Sequence, residues 1–405
     1  MSTIRFIHTA DLHLGSPFKG MTDLPPSRLE ALRNSTIRAF QRLIDYALAS
    51  KPDFVLIVGD LYDGEDRNLR AQLKFQEGME QLHGAGIPVL LSHGNHDHLG
   101  GTWTRVALPP NVHVFGDTVE TVTFQVNGED VFIHGFSYKE RHVRTPMIRD
   151  YPKAAGNSLT IGMLHGSVAG DATHAVYAPF TKEELLEKQY DYWALGHIHL
   201  RQQLQEEPAI IYPGNIQGRH RNEKGMKGFY EVELSKSETV LRFVPTSEIL
   251  FERVEVNCSG LRHANEWIQR CDEALETGET KRGRIVELVL TEVDAEAAVL
   301  FSQAPDSEWL EILREHLEEN EPFVWIRCLE LERRSSGILA APNLMVDSIV
   351  STMEDWSMDD WRSTLQEVYQ HVRMGKYLGV LDETDVSRIK VDAEQLIEKE
   401  MIRGE

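Results

Sequence analysis

Seven side chains of metal-ligand type follow one another along the chain, each just after a hydrophobic run. They are Asp11 and His13 in Asp-Leu-His, Asp60 in Gly-Asp-Leu-Tyr-Asp, Asn95 in Gly-Asn-His-Asp, His165 in Leu-His-Gly, and His197 and His199 in Gly-His-Ile-His. Together they make a complete set for two divalent ions side by side, an arrangement that hydrolyses phosphate esters. Residues two apart in an extended segment point the same way, so Asp11 with His13, and His197 with His199, let one turn supply two ligands. Asp60 stands alone, and a carboxylate can bridge two ions through its two oxygens. The set divides into Asp11, His13, Asp60 and His199 for one ion, and Asp60, Asn95, His165 and His197 for the other. Mixed imidazole, carboxylate and amide donors point to Mn2+ first and iron next, with Zn2+ and Mg2+ as further alternatives.

His96 is not needed as a ligand. Asn95 places it beside the second ion, where it can act as general acid, and Asp97 is expected to orient it. The expected reaction is in-line attack on phosphorus by a hydroxide bridging the two ions, with His96 protonating the leaving alkoxide. His134, in Ile-His-Gly, competes with His165 for a ligand role. His165 is preferred because it lies nearer the following ligand strand, and His134 is assigned to support or hairpin packing. His8 reads as strand packing, and His93 and His98 as surface or supporting residues. Arg219, His220, Arg221, Lys224 and Lys227 form a basic stretch with two readings: a solvated loop, or contact with a nucleic-acid backbone. Arg141 and Arg144, beside Tyr138, are a smaller candidate for the same contact.

Positioning these residues requires strand ends. Hydrophobic runs at 3–8, 53–58 and 87–92 read as short strands, separated by helical patterns at 27–49 and 68–84, which is a βαβ order and implies a parallel sheet. Ligands bind beyond the carboxyl ends of such strands, where Asp11, Asp60 and Asn95 fall. Val122–Val126, Asn127-Gly128 and Asp130–His134 read as a hairpin, since Asn-Gly supplies a tight turn. Strands are expected at 158–164, 190–195, 208–212, 227–234 and 239–244, and Thr181 with Glu184 forms a capping box before a helix at 182–188. The implied fold class is α/β: a four-layer sandwich of two mixed sheets flanked by helices, then a small α/β cap and C-terminal helices.

The domain boundaries read as 1–245 for the dimetal phosphoesterase region, 246–335 for the cap and 336–405 for a helical, partner-binding region. The cap pattern is strand 249–256, helix 261–276, strand 284–291, helix 306–319 and strand 323–331. Trp361, Leu365, Val368 and Val372 make one apolar stripe, and Leu396, Ile397 and Met401 hint at another; core packing and partner docking are both open for them. The net charge is −22. Residues 1–244 carry 25 Lys+Arg against 29 Asp+Glu, and residues 245–405 carry 17 against 35, so the acidity belongs to the C-terminal part. That part is a poor fit to a phosphate backbone, whereas two bound dications would bring the first part near neutrality. Three distant cysteines, no secretory pattern and no run of eighteen apolar residues fit a reduced cytoplasm with no membrane span.

The segments His8-Thr-Ala-Asp-Leu-His-Leu-Gly15, Val58-Gly-Asp-Leu-Tyr-Asp63, Ser92-His-Gly-Asn-His-Asp97, Ala194-Leu-Gly-His-Ile-His199 and Tyr212-Pro-Gly-Asn215 resemble the calcineurin-like metallophosphoesterase superfamily. Within it they resemble the bacterial SbcD nucleases and the YhaO-like group of DNA repair exonucleases, over residues 3–245. The resemblance implies a manganese pair, 3′-to-5′ exonuclease and single-strand endonuclease activity on DNA, a homodimer, and an SbcC-like coiled-coil ATPase partner. It carries the seven ligands and His96 over directly. Three positions after the bridging aspartate the family pattern has a histidine that assists the exonuclease reaction; here that position is Asp63, a candidate catalytic substitute that could also repel DNA phosphate. Two other readings stay open: a phosphoesterase for a small phosphodiester or phosphomonoester, and a scaffold subunit that binds a coiled-coil ATPase.

Overall fold

The computed structural model describes residues 3–18, 21, 24–63, 68–101, 106–169, 177–276 and 281–331, and beyond them 352, 356–366, 386, 389, 390 and 393. These fall into two compact units, Met1–Glu332 and Arg333–Glu405.

In the first unit, β1 (Ile4–Ala10), β2 (Phe54–Val58) and β3 (Val89–Ser92) alternate with α1 (Pro26–Ser50) and α2 (Leu69–Gly84). The helical period of Leu32, Ala39, Phe40, Leu43, Ile44 and Ala47 gives α1 one buried face. Helix α2 starts where Asn68 caps it, its side chain accepting from the Ala71 amide at 2.7 Å. These three strands pair in parallel with β4 (Val112–Val114), and β11 (Gly228–Leu234) and β12 (Thr239–Pro245) add antiparallel on the β1 side.

A second mixed sheet has the order β5 (Glu120–Val126), β6 (Glu129–Gly135), β7 (Leu159–His165), β8 (Tyr192–Gly196), β10 (Ala209–Tyr212) and β9 (Gln202–Gln205). The Asn127-Gly128 turn joins β5 to β6, with positive φ at both residues. Alternation along the strands explains the layering. Phe6, Phe54, Leu56 and Val58 face Ile133, Ile161, Met163 and Ala194 between the sheets. Ile7, Val55 and Ile57 face α1 and α2 on the outside. Trp193, Leu195 and Ile210 point outward from the second sheet against Tyr151, Phe180 and Leu185, the last on α3 (Lys182–Leu186). Helices therefore flank two facing mixed sheets.

His8 lies on the inner face of β1 and ties the sheets together. Its Nε2–H donates to the Leu195 carbonyl at 3.1 Å and its Nδ1 accepts from the Tyr192 hydroxyl at 2.9 Å. Burial pushes its pKa down to about 3, so it is a neutral core residue. His134 stacks on Tyr190 and pairs with Thr121 Oγ1 at 2.8 Å, within the second sheet.

The rest of the first unit is a three-stranded parallel sheet: β13 (Ile249–Asn257), β14 (Gly283–Thr291) and β15 (Val324–Leu331). Its helices are α4 (Ala264–Leu275), α5 (Ala295–Phe301) and α6 (Asp306–His316). Helix α5 was not expected; Asp294 starts it by accepting from the Glu296 and Ala297 amides. One sheet face packs on Trp267, Cys271, Trp309 and Leu313. The other meets the start of α1 and the loop before it, where Ile249, Phe251, Ile285 and Phe323 contact Phe18, Leu24 and Leu32.

In the second unit, α7 (Met358–Thr364) begins at a Ser357–Asp360 capping box. Trp361 is buried against Trp356, Leu365, Val386, Ile389 and Ala393. Val368, Val372, Leu396, Ile397 and Met401 lie outside the described residues. Among those described, no helix is long and apolar enough to cross a membrane.

Candidate metal centre

All seven candidate ligands meet where the strands of the two facing sheets end. The loop after β1 runs beside the loop after β2, with the Asp11 amide donating to Gly59 O at 3.2 Å, His13 to Asp60 O at 3.0 Å and Leu14 to Leu61 O at 2.9 Å. These bonds hold unusual backbone: φ is 52° at Asp11, 42° at His13, 49° at Asp60 and 99° at His197. Residues other than glycine avoid this region, and such strain persists where surrounding structure over-determines it. The Asp11 carboxylate also accepts from the His197 amide at 3.0 and 3.2 Å, linking the two sheets.

Two glycines make room. A Cβ at Gly59 would sit 2.0 Å from His165 Nδ1, and one at Gly94 would sit 2.4 Å from Asp60 Oδ1. Any side chain at either position would displace a candidate ligand.

Ligand atoms of Asp11, His13 and His199 lie within 4.8 Å of one another, as do those of Asp60, His165 and His197. Asp60 Oδ2 lies between the two groups, 3.8 Å from His13 Nε2 and 3.5 Å from His165 Nε2. Asn95 Oδ1 is 3.1 Å from His165 Nε2.

The donor chemistry fits cations. His199 Nδ1–H donates to Glu223 Oε1 at 2.6 Å, and His165 Nδ1–H donates to the Val58 carbonyl at 3.1 Å. With the proton off Nε2, as metal binding would require, each imidazole presents that atom as a lone pair. The His199 lone pair lies 3.0 Å from His13 Nε2 and 3.8 Å from Asp11 Oδ1, and the His165 lone pair faces Asp60 and Asn95 oxygens. Acceptors facing acceptors in a buried site need a proton or a metal ion between them.

The charge state follows. Burial alone would raise the Asp60 carboxyl, but His165, then His13 and His96, hold it well below the usual carboxylate range. Burial would lower His165, but the Asp60 charge and hydrogen bond, with Asp11, push it up to about 9. Asp11 is raised, because burial outweighs His199 and His165. His13 is held well below its ordinary value by burial, then by Arg219 and His199.

His96 sits at the open side of the site, its side chain 29% exposed. Its amide donates to Asp60 Oδ1 at 2.9 Å, and its ring meets His13 edge-on. The carboxylate beside its Nδ1, at 3.8 Å, belongs to Asp63. Asp97 is buried: its carboxylate accepts from the Gly94 amide of its own turn at 2.7 Å and from the Leu61 amide of the loop after β2 at 2.9 Å, and pairs with His93 Nδ1 at 2.9 Å. These bonds fix the turn that carries Asn95 and His96. His93 thereby has a supporting role.

Sequence reasoning missed Glu223. Buried, it holds His199, accepts from Asn215 Nδ2 at 2.7 Å and the Arg219 amide at 2.7 Å, and pairs with His220 at 3.2 Å. Burial would raise its carboxyl, but the bonds from His199 and His220 hold it far below the carboxylate range. The basic stretch around it is divided in use. Arg219 turns into the site, Lys227 donates to the His199 carbonyl at 3.0 Å, and Arg221 and Lys224 face buried Glu287 on β14. With the Gly225 amide bonded to Phe251 O, the third sheet buttresses this loop. A spacing of twenty-four residues from His199 to Glu223, across two strands, gave no signal to find it.

Two facing mixed sheets, strand-end loops rich in ligands and a half-exposed histidine at their mouth define a class: metal-dependent hydrolases of phosphate esters. Residues 4–201 match the family described as calcineurin-like phosphoesterase. The chain is 34% identical over 405 residues to the uncharacterized metallophosphoesterase YhaO of Bacillus subtilis, covering 99% of this chain and 98% of that one. It is 30% identical over 283 residues to the DNA double-strand break repair protein Mre11 of Methanocaldococcus jannaschii, covering 66% of this chain and 73% of that protein. It is 24% identical over 271 residues to the D component of the SbcCD nuclease of Staphylococcus saprophyticus, covering 60% of this chain and 69% of that protein. The chain belongs to the calcineurin-like metallophosphoesterase family, and its site is that of a phosphoester hydrolase using divalent metal.

Proposed function

We propose that this protein is a Mn2+-dependent DNA nuclease that works as a homodimer with a coiled-coil ATPase of the SbcC type. The observation that carries the hydrolytic part is the pairing of a largely buried array of acceptor groups with His96 at its mouth, its side chain 29% exposed. The DNA substrate is supported by the likeness to Mre11 and to the SbcCD nuclease. The surface cations Lys139, Arg141 and Arg144 support it too. Their segment is joined to the loop after His96 by the Leu99–Tyr138 and Gly100–Lys139 backbone bonds.

Asp11, His13, Asp60 and His199 would hold one ion, and Asp60, Asn95, His165 and His197 the other. Bound divalent ions supply a lowered pKa for water and positive charge opposite the phosphate oxygens. The chain's own residues do the rest. Glu223 and the Val58 carbonyl fix the tautomers of His199 and His165, presenting Nε2 of each inward. His96, anchored through its amide to Asp60, directs Nδ1 toward Asp63 and leaves Nε2 to protonate the leaving oxygen. Asp97 and His93 keep that turn in place.

The test is cleavage of end-labelled single- and double-stranded oligonucleotides by the purified protein with Mn2+, alone and with its ATPase partner. The expected result is single-strand cleavage, with duplex exonuclease activity weakened by Asp63. Turnover of bis-(p-nitrophenyl) phosphate without cleavage of any DNA would instead establish a small-phosphodiester enzyme, a reading that the net charge of −22 favours.

A further inference from the structure

Asp63 is the point where the metal centre meets a largely buried cation that the hydrolytic mechanism leaves unused. Its Oδ2 accepts from Ser16 Oγ at 2.8 Å. Its Oδ1 lies 3.8 Å from His13 Nδ1, 3.8 Å from His96 Nδ1 and 3.4 Å from Arg219 Nη1. One carboxylate oxygen therefore separates the Arg219 guanidinium from a ligand histidine and from the general acid.

Arg219 is built into this place. Its side chain is only 16% exposed. Its backbone amide is pinned to Glu223, the same carboxylate that orients His199. The loop carrying it rests on the third sheet through Arg221, Lys224 and Gly225. Yet its polar capacity is under-used. The contact with Asp63 is long and made through one terminal nitrogen, and Nε is buried with no hydrogen-bond partner among the described residues. A buried Nε–H left unpaired costs stability unless a ligand completes it. The planar guanidinium fork matches the oxygens of a phosphate group.

We infer that Arg219 is a catalytic residue of the phosphoester reaction that binds a non-bridging phosphate oxygen at the metal centre, and that Asp63 holds it there between turnovers. This rests on hydrolysis of phosphate esters by the family and does not require the substrate to be DNA. Asp63 has two opposed effects on the bound anion: it positions the guanidinium, and its own charge repels the phosphate. A purely structural account, in which Arg219 only neutralises Asp63, makes a different prediction for the double variant.

The experiment measures orthophosphate binding to the Mn2+-loaded full-length protein by titration calorimetry. Metal content by mass spectrometry and kcat/KM for bis-(p-nitrophenyl) phosphate are measured in parallel. Arg219→Ala should keep both ions, weaken phosphate binding about 10- to 100-fold, the size of lost charge-assisted hydrogen bonds, and lower kcat/KM alongside. Arg219→Lys, which keeps charge and bulk but not the fork, should fall between, and supplies the same reading if the alanine variant does not fold. Asp63→Asn should bind phosphate more tightly, and Arg262→Ala, which removes an exposed cation paired with Glu296 outside the site, should match the parent. The loss should persist when Asp63→Asn/Arg219→Ala is compared with Asp63→Asn alone. Binding by that double variant as tight as by Asp63→Asn would overturn the inference, as would loss of metal from Arg219→Lys or unchanged phosphate binding in Arg219→Ala. Failure to cleave DNA would leave this result untouched and would count only against the nuclease reading.

Discussion

β2 and β14 are each the central strand of a parallel triplet, β1–β2–β3 and β13–β14–β15, and each is buried along its whole length. Both triplets end in loops that carry Asp and Asn side chains, where parallel sheets place ligands. Past β1, β2 and β3, the side chains of Asp11, Asp60 and Asn95 approach histidine rings or a backbone amide from the opposite sheet. Past β13 and β14 the same residue types serve the local backbone. Asn257 accepts from the Ser259 amide, and Asp294 accepts from Gly260, Glu296 and Ala297. Backbone strain does not separate the two, because Glu292 after β14 has φ 52°, much like Asp60. The difference is the facing layer. β7 and β8 bring His165, His197 and His199 opposite the first triplet, whereas helices and the start of α1 cover the third sheet. Topology offers a place for a site, and a second set of strand ends makes it a site.

The largest effect that tests this contrast is at Asp60. Asp60→Ala should lose bound metal, read by mass spectrometry, and lose phosphodiester turnover by on the order of 10³-fold or more. His96→Ala should keep both ions while turnover falls by about 10²-fold, the scale of a lost general acid. Equal metal loss in the two variants would erase the division between ligand and acid. Glu223→Gln should weaken metal affinity by roughly 10-fold, as loss of a histidine-orienting carboxylate does, with the fold intact by circular dichroism. An unchanged metal titration would show that His199 needs no such partner.

A smaller effect contrasts two buried histidines of the same layer, His8 and His165. His8 titrates near 3 in the fold against 6.5 for its ordinary value. Between those values the unfolded chain binds a proton that the native protein does not. Its contribution is therefore intact above about pH 6.5 and is lost progressively on acidification toward pH 3. The thermal midpoint of metal-free protein should fall across that range, and His8→Gln should flatten the slope. An identical slope in the variant would assign the acid sensitivity elsewhere. The smallest effect is at Asp294. Asp294→Ala removes a helix cap, so it should lower the thermal midpoint slightly and leave metal content and turnover at parental values. Loss of metal there would break the contrast between the triplets.

Much of the fold is legible in the sequence. The apolar period of α1, the short buried runs of β1 to β3 and the Asn127-Gly128 turn fall within a few residues of their expected places, because burial on one face imposes a pattern on sequence. Helix α5 escaped because its seven residues span only two turns, too few to show a period. At the site, Asp97 was expected beside His96 from sequence adjacency. In the folded turn its carboxylate binds the backbone and His93, and Asp63, thirty-three positions earlier, takes the place beside His96 Nδ1.

The sequence by itself determined which groups can do chemistry and in what order they arrive: the seven candidate ligands, the glycines that let them approach, and His96 in the same turn as Asn95. Ligand type and strand-end position are local properties, and local properties are written in local sequence. Only the tertiary structure decided the supporting cast. Glu223 became the partner of His199, Asp63 the neighbour of both His13 and His96, and Arg219 a largely buried cation at the mouth rather than a solvated loop residue. Those roles depend on distances between loops far apart in the chain, and such distances exist only once two sheets pack face to face and the third sheet braces the loop between them.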